Sequence, residues 1–266
     1  MTPWITKPVP FNIGLTPAAA GGGSGFDLSN LKAYYKFCND PTVSNLENQA
    51  SSIGSSDSNG ADLSNSNVTT ATGLIDEGYD YDLSNGQSAD TGGAGTDFEF
   101  MYNTSSAEFS FVGWLKPNTT SRTNNRTIWD NADIGNANGC GLGEYHPLSK
   151  HRLFFYLSKP LNADDEFFYS PDNSYPDTTD WRMVYVSFEA SSQEVKFSIN
   201  DGAVSTLSSS ITGISGASYS PMSFGSGRSP AIYETDSICD EWSFWNRILT
   251  SEEITTLYNS GSGFAL

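Results

Sequence analysis

The sequence predicts an all-β protein of the sandwich type, and three observations predict it. Apolar residues recur in short alternating runs rather than at helical spacing. Turn formers are plentiful, with 25 glycines and 12 prolines in 266 residues, and no long uninterrupted helical pattern breaks the series. Residues 237–263 then read as one strand, one tight turn and one short capped helix. A chain of this length suits one large sandwich domain.

Residues 1–25 stand apart. Pro3, Pro8, Pro10 and Pro17 enforce extended backbone, while Trp4, Ile5, Phe11, Ile13 and Leu15 supply apolar side chains. Ala18-Ala-Ala-Gly-Gly-Gly-Ser-Gly25 follows as a flexible tether. The division is therefore an extended arm, 1–25, and one folded domain, 26–266. The arm's apolar residues need a surface to bury them, and the tether favours a partner or neighbouring subunit over the chain's own domain.

From Phe26 the strands follow in order. Leu31-Lys-Ala-Tyr-Tyr-Lys-Phe-Cys38 is the first, and a polar Asn/Ser-rich segment spans residues 45–70. Thr72–Asp82, Gly86–Asp90 and Phe98–Tyr102 read as short strands. In Glu108–Pro117 the alternation sets Phe109, Phe111, Gly113 and Leu115 against Ser110, Val112, Trp114 and Lys116. Arg126–Asp130 and His151–Leu157 continue the series, and Trp181–Phe188 and Glu194–Gly202 form a hairpin followed by an Asn200-Asp-Gly202 turn. In the last strand Ile238, Asp240, Trp242 and Phe244 share one face, and Cys239, Glu241, Ser243 and Trp245 the other. Thr250 and Glu253 make a capping box, Ile254, Leu257 and Tyr258 share a helix face, and Gly261 offers a left-handed stop. Asp-Leu-Ser-Asn recurs at 27–30, 62–65 and 82–85 at irregular spacing, which is turn chemistry rather than a structural repeat.

Four of these segments carry a resemblance. Asp240-Glu241 ahead of Trp245-Asn-Arg-Ile-Leu-Thr-Ser-Glu-Glu-Ile-Thr-Thr-Leu-Tyr-Asn-Ser-Gly261 is similar to the closing strand and helix of laminin-G-like, concanavalin A-like lectin–glucanase jelly rolls. The Leu31–Cys38 strand, the Glu108–Pro117 strand and the 181–202 hairpin resemble the same family. The resemblance covers 31–263 and implies a two-sheet antiparallel jelly roll whose first and last strands are neighbours. It also implies a structural calcium held by Asp240, with Asn48 from an early loop as a second ligand where many relatives carry Asp; the alternative for Asp240 is a carboxylate hydrogen-bonded to backbone amides of the first strand. A Cys38–Cys239 bridge is open to such neighbours, with reduced, semi-buried thiols as the alternative.

Composition excludes several functions. Thirteen basic residues against thirty-one acidic ones give a net charge of −18, a field that repels phosphate backbones. No apolar run is long enough to span a bilayer, and the N-terminal residues lack the basic and apolar regions of a secretory signal. Assembly in a host cytoplasm is the expectation. Glycoside hydrolysis needs two carboxylates flanking the scissile bond, and the laminarinase-type E-x-D-x-x-E pattern is absent. Asp236, Asp240 and Glu241 come nearest, with Glu241 facing away, and Asp164-Asp-Glu166 reads as a solvated turn. Neither His146 nor His151 has a Ser or Cys partner in a nucleophile elbow. No catalytic residue is assigned.

Two segments fit ligand recognition. Gly135–Pro147 reads as a flexible loop ending in Tyr145 and His146, and Tyr169–Asp177 joins Tyr169 and Tyr175 to Asp172 and Asn173. Tyrosine stacks on the apolar face of a pyranose while amides and carboxylates hold its hydroxyls. Jelly rolls that this chain resembles, with an ending similar to Leu257-Tyr-Asn-Ser-Gly-Ser-Gly263, are frequent in bacteriophage structural proteins, and with the arm this resemblance implies a non-enzymatic virion surface component. Its arm docks on capsid or tail subunits and its jelly roll is displayed as a decoration or host-contacting module, with surface glycans as further partners. A symmetric homo-oligomer fits an arm that swaps onto neighbours. The alternative is a free lectin module or a glucanase- or lyase-like enzyme.

Overall fold

A computed structural model describes residues 26–38, 46–82, 86–92, 95–101, 106–119, 124–132, 139–147, 150–158, 165–175, 179–211, 221–225 and 234–266. The arm expected over 1–25 lies outside these residues. The chain is all-β, with two antiparallel sheets and one short C-terminal helix, the β-sandwich jelly roll expected. Fifteen strands are described: β1 Leu31–Tyr35, β2 Ser64–Ser66, β3 Thr69–Thr72, β4 Glu77–Tyr81, β5 Ser88–Asp90, β6 Glu108–Pro117, β7 Arg126–Asp130, β8 Gly139–Tyr145, β9 Arg152–Ser158, β10 Glu166–Tyr169, β11 Arg182–Glu189, β12 Glu194–Ile199, β13 Ser205–Ser208, β14 Ser223–Phe224 and β15 Ser237–Trp245. One sheet runs β13-β12-β11-β6-β15-β4-β3, with β1 also paired to β15. The other runs β10-β9-β8-β7-β14-β5-β2.

Alternation along β6 places Phe109, Phe111 and Leu115 in the core between the sheets, facing Trp129, Leu142, Phe155 and Phe224. Val112 and Trp114 emerge on the opposite face, where helix α1, Ser251–Tyr258, covers them with Ile254 and Leu257. The Thr250–Glu253 capping box starts that helix. It stops earlier than the expected Gly261, at Asn259 in the left-handed region (φ 47°), because a short amide side chain tolerates that backbone too.

Three further expectations are corrected. Of the strand expected over Phe98–Tyr102, residues 98–101 are described and are not a strand: Gly95–Met101 is a 3-10 helix, which points Phe98 and Met101, three residues apart, into the core. Gly135–Pro147 is not a loop throughout, since residues 139–145 form β8 between β7 and β9. The faces of β15 also change part-way. Glu241 has φ 52° and the pairing register with β6 slips between Asp240 and Ser243, a β-bulge. Cys239 before the bulge and Trp242 and Phe244 after it all point inward, while Asp240 and Trp245 point out. The bulge also exchanges partners: β4 pairs with residues 237–239 and β1 with residues 242–245. The first and last strands are neighbours as expected, and Cys38, Cys140 and Cys239 are all free thiols.

Candidate functional site

On β8 and β9, one side chain in two faces the core: Cys140 and Leu142, then Leu153, Phe155 and Leu157. The alternate residues face outward. On β8 these are Gly139, Gly141 and Gly143, and on β9 and β10 they are Arg152, Phe154, Tyr156, Phe167 and Tyr169. The glycines make room for the aromatics. A methyl group on Gly143 would lie 2.3 Å from Phe154 Cζ, and one on Gly141 would lie 2.4 Å from Tyr156 Cε1. Register pairs Gly143 with Phe154 and Gly141 with Tyr156, so each ring leans across the neighbouring strand onto bare backbone.

The result is a continuous aromatic surface on the outer face of the second sheet, ending at its edge strand. Phe154, Tyr156, Phe167 and Tyr169 have neighbouring ring centroids 5.8 to 6.5 Å apart. Phe167 and Tyr169 are stacked at 22°. Phe167 is 47% exposed, a large amount for phenylalanine. Tyr145 meets Tyr169 edge-on at 5.1 Å. The Arg152 guanidinium lies 3.9 Å from the Tyr169 ring centre and 4.8 Å from that of Tyr145. Arg152 Nη1 donates to Asp172 Oδ1 at 2.8 Å, and Lys150 Nζ lies 3.6 Å from Asp172 Oδ2. Burial pushes the Tyr169 hydroxyl pKa up, helped by Tyr145 and opposed by Arg152, so it stays a neutral donor and acceptor.

The expected ligand residues therefore divide. Tyr145, Tyr169 and Asp172 come together around Arg152. Asn173 shapes the adjoining turn, with φ 61° and its N–H donating to the Lys150 carbonyl at 2.7 Å. Tyr175 is fully buried and belongs to the core, so it is no stacking platform. His146 is 2% exposed and bonds through Nε2 to Glu144 Oε2 at 2.9 Å. Glu144, absent from the sequence-based candidates, also accepts from Ser237 Oγ at 2.9 Å and from Tyr175 at 3.4 Å. The carboxylate is thus shared by the serine, the tyrosine and the imidazole in one buried network. His146 Nδ1 and His151 Nδ1 lie 3.4 Å apart. Phe154, Tyr156, Phe167 and Arg152 were missed as site residues. The signal for Arg152, Phe154 and Tyr156 was available in the alternation of residues 152–157 once Leu153, Phe155 and Leu157 are assigned to the core, and that for Phe167 in its place beside the core residue Phe168.

The side chains expected to hold calcium serve backbone amides. Asp240 Oδ2 accepts from the N–H groups of Leu74 and Ile75 at 2.8 and 2.9 Å. Asn48 Oδ1 accepts from Tyr34 and Ala50 at 2.9 and 3.0 Å, and its amide donates to Lys32 and Asn59. Among the described residues no three His, Cys, Asp or Glu side chains converge as metal ligands.

No family model matches this chain, and no curated protein matches its sequence. Solved structures do match. The binding domain of Paraclostridial Mosquitocidal Protein 1 superposes with a TM-score of 0.62 at 14% identity, covering 87% of this chain and 52% of that one. The binding domain of botulinum neurotoxin serotype D/C gives 0.61 at 15% identity, over 87% of this chain and 52% of that one. A complex of the botulinum neurotoxin DC binding domain with SialylT gives 0.60 at 15% identity, over 87% and 51%. The chain shares their fold. It spans about half the length of each, so those names describe domains that are half unmatched here.

Proposed function

We propose that this protein is a non-enzymatic glycan-binding jelly roll, displayed on a larger particle of virion type by residues 1–25. The observation that carries the glycan reading is the outward aromatic surface of β8, β9 and β10, rimmed by the Arg152–Asp172 pair. Aromatic faces take the apolar side of a pyranose, and a guanidinium–carboxylate pair offers donors and acceptors to its hydroxyls. The fold neighbours support the same reading, since they are binding domains and one is a complex with SialylT. The anchoring part rests on sequence alone: Trp4, Ile5, Phe11, Ile13 and Leu15 on a glycine tether, and the resemblance to jelly rolls of phage structural proteins.

A glycan array probed with the full chain, its Phe167→Ala variant and its Tyr169→Ala variant tests the binding. The proposed site predicts saccharide hits that weaken several-fold to about tenfold in either variant. Hits of equal strength in all three proteins would place binding elsewhere. Co-sedimentation with particles, comparing the full chain with one beginning at Phe26, tests the arm. Equal attachment by the shorter chain defeats the anchor.

A further inference from the structure

The end of α1 builds a second concave site, on the opposite side of the sandwich. A cavity of about 440 Å³ is lined by Asp201, Thr255, Thr256, Tyr258, Asn259, Ser260 and Phe264. Four residues in a row of five turn left-handed here, Asn259, Ser260, Gly261 and Gly263, which curls the chain back on the helix end. Asn259 Nδ2 closes the curl on the Gly263 carbonyl at 2.7 Å. Thr255 Oγ1 donates to Asp201 Oδ1 at 3.0 Å, tying the turn after β12 to the helix.

Both aromatic walls are held from behind. Tyr258 stacks on Trp114 at 5.8 Å and 13°, and Phe264 stacks on Phe26 at 6.5 Å and 21°. Rings fixed in this way lose little freedom when a ligand arrives. Around them stand three hydroxyls, one amide and one exposed carboxylate. This is the mixture that a sugar presents in complement, an apolar ring face with hydroxyls at its edge. Backbone strain also gathers here: Asp201, Asn259 and Ser260 are non-glycine residues at φ 56°, 47° and 56°.

We propose that this cavity is a second saccharide site, taking one pyranose ring between Tyr258 and Phe264 with Asp201 accepting from its hydroxyls. It shares no residue with the β8–β10 surface and lies on the helix-covered side of the other sheet. The molecule is then bivalent, and a surface dense in glycans would hold it more tightly than either site alone.

The test is nuclear magnetic resonance on the full chain, titrated separately with the methyl glycosides of glucose, galactose and mannose and with N-acetylglucosamine. Saturation transfer reads contact with the sugar, and chemical-shift changes locate it. The proposal expects shifts centred on Tyr258, Asn259 and Phe264, unchanged in Phe167→Ala. Asp201→Ala, at an exposed position, should weaken binding about tenfold, and Phe264→Ala should weaken it too, each with its thermal transition recorded to show a folded domain. Shifts confined to the Phe167–Tyr169 surface, or no shifts at the helix end with any of the four sugars, overturn the second site while leaving the first to be judged separately.

Discussion

The bulge in β15 brings two carboxylates side by side, and this makes the fold sensitive to alkali. Asp240 and Glu241 are 0% and 6% exposed. Burial is the main reason that Asp240 is raised from 3.8 to about 7, against the opposing hydrogen bonds from Ile75 and Leu74. Burial also raises Glu241 from 4.5 to about 8, with the Tyr34 hydrogen bond opposing it and the charge of Asp240 adding to it. Tyr34 donates to Glu241 and accepts from the Leu266 N–H, so the same pair ties down the C-terminal residue. Both acids bind protons more tightly in the native chain than in the unfolded one. Their contribution is therefore complete below about pH 4 and is lost as pH rises through about 7 to 8. The two charges oppose one another, so the pair is counted once: a shift of about three units at 1.36 kcal/mol per unit corresponds to roughly 4 kcal/mol for the pair. That is a large share of a typical stability of about 5–15 kcal/mol. Urea denaturation at pH 5, 7 and 9 should show midpoints falling steadily with pH. The net charge of −18 pushes in the same direction through self-repulsion, so Glu241→Gln is the control. It keeps an acceptor for Tyr34 and cannot ionise, and its midpoint should fall distinctly less between pH 5 and 9. Parallel curves for the two proteins would refute the assignment of alkaline sensitivity to this pair.

Other expectations can be measured in the same way. Gly113→Ala would place a methyl 2.1 Å from the Trp242 ring, and overpacking a filled core should lower stability by about 2–3 kcal/mol in denaturant titrations. Thr250→Ala removes the acceptor for the Glu253 N–H and breaks the capping box, with about 1 kcal/mol lost by thermal unfolding. Gly141→Ala would meet Tyr156 Cε1 at 2.4 Å and Asp130 Cβ, on the paired strand, at 2.8 Å. Its saccharide affinity and its unfolding midpoint should both fall, the second by about 1–3 kcal/mol in denaturant titrations.

How much of this was legible in the sequence depends on whether the decisive contact was local. The bounds of β6 and β7 are those expected from the sequence, and in β6 the reason is local alternation, since Phe109, Phe111 and Leu115 declare a buried face within a few residues of one another. The capping box is equally local. The bulge is not: a glutamate in the left-handed region carries no sequence mark, and what secures it is Tyr34 on another strand and the Leu74–Ile75 amides accepted by Asp240. One residue of slip was enough to move Trp242 and Phe244 to the face opposite the one assigned to Asp240.

The candidate site shows the same division more sharply. Gly139, Gly141 and Gly143 read locally as a loop, since glycine at alternate positions argues against a strand. Across the ladder they are the complement of Phe154 and Tyr156, whose rings occupy the space that side chains on β8 would have filled. Neither half is interpretable alone: the glycines look flexible, and the aromatics look like core. Together they build a sheet face on which large rings lie outward, Phe154 buried among its neighbours and Phe167 47% exposed. A protein gains nothing in folding from leaving Phe167 half exposed beside Tyr169 and Arg152, and an exposed ring on an edge strand invites unwanted pairing. That arrangement is best explained by a ligand that stacks there, so the strand the sequence hid and the surface proposed to bind glycans have one physical origin.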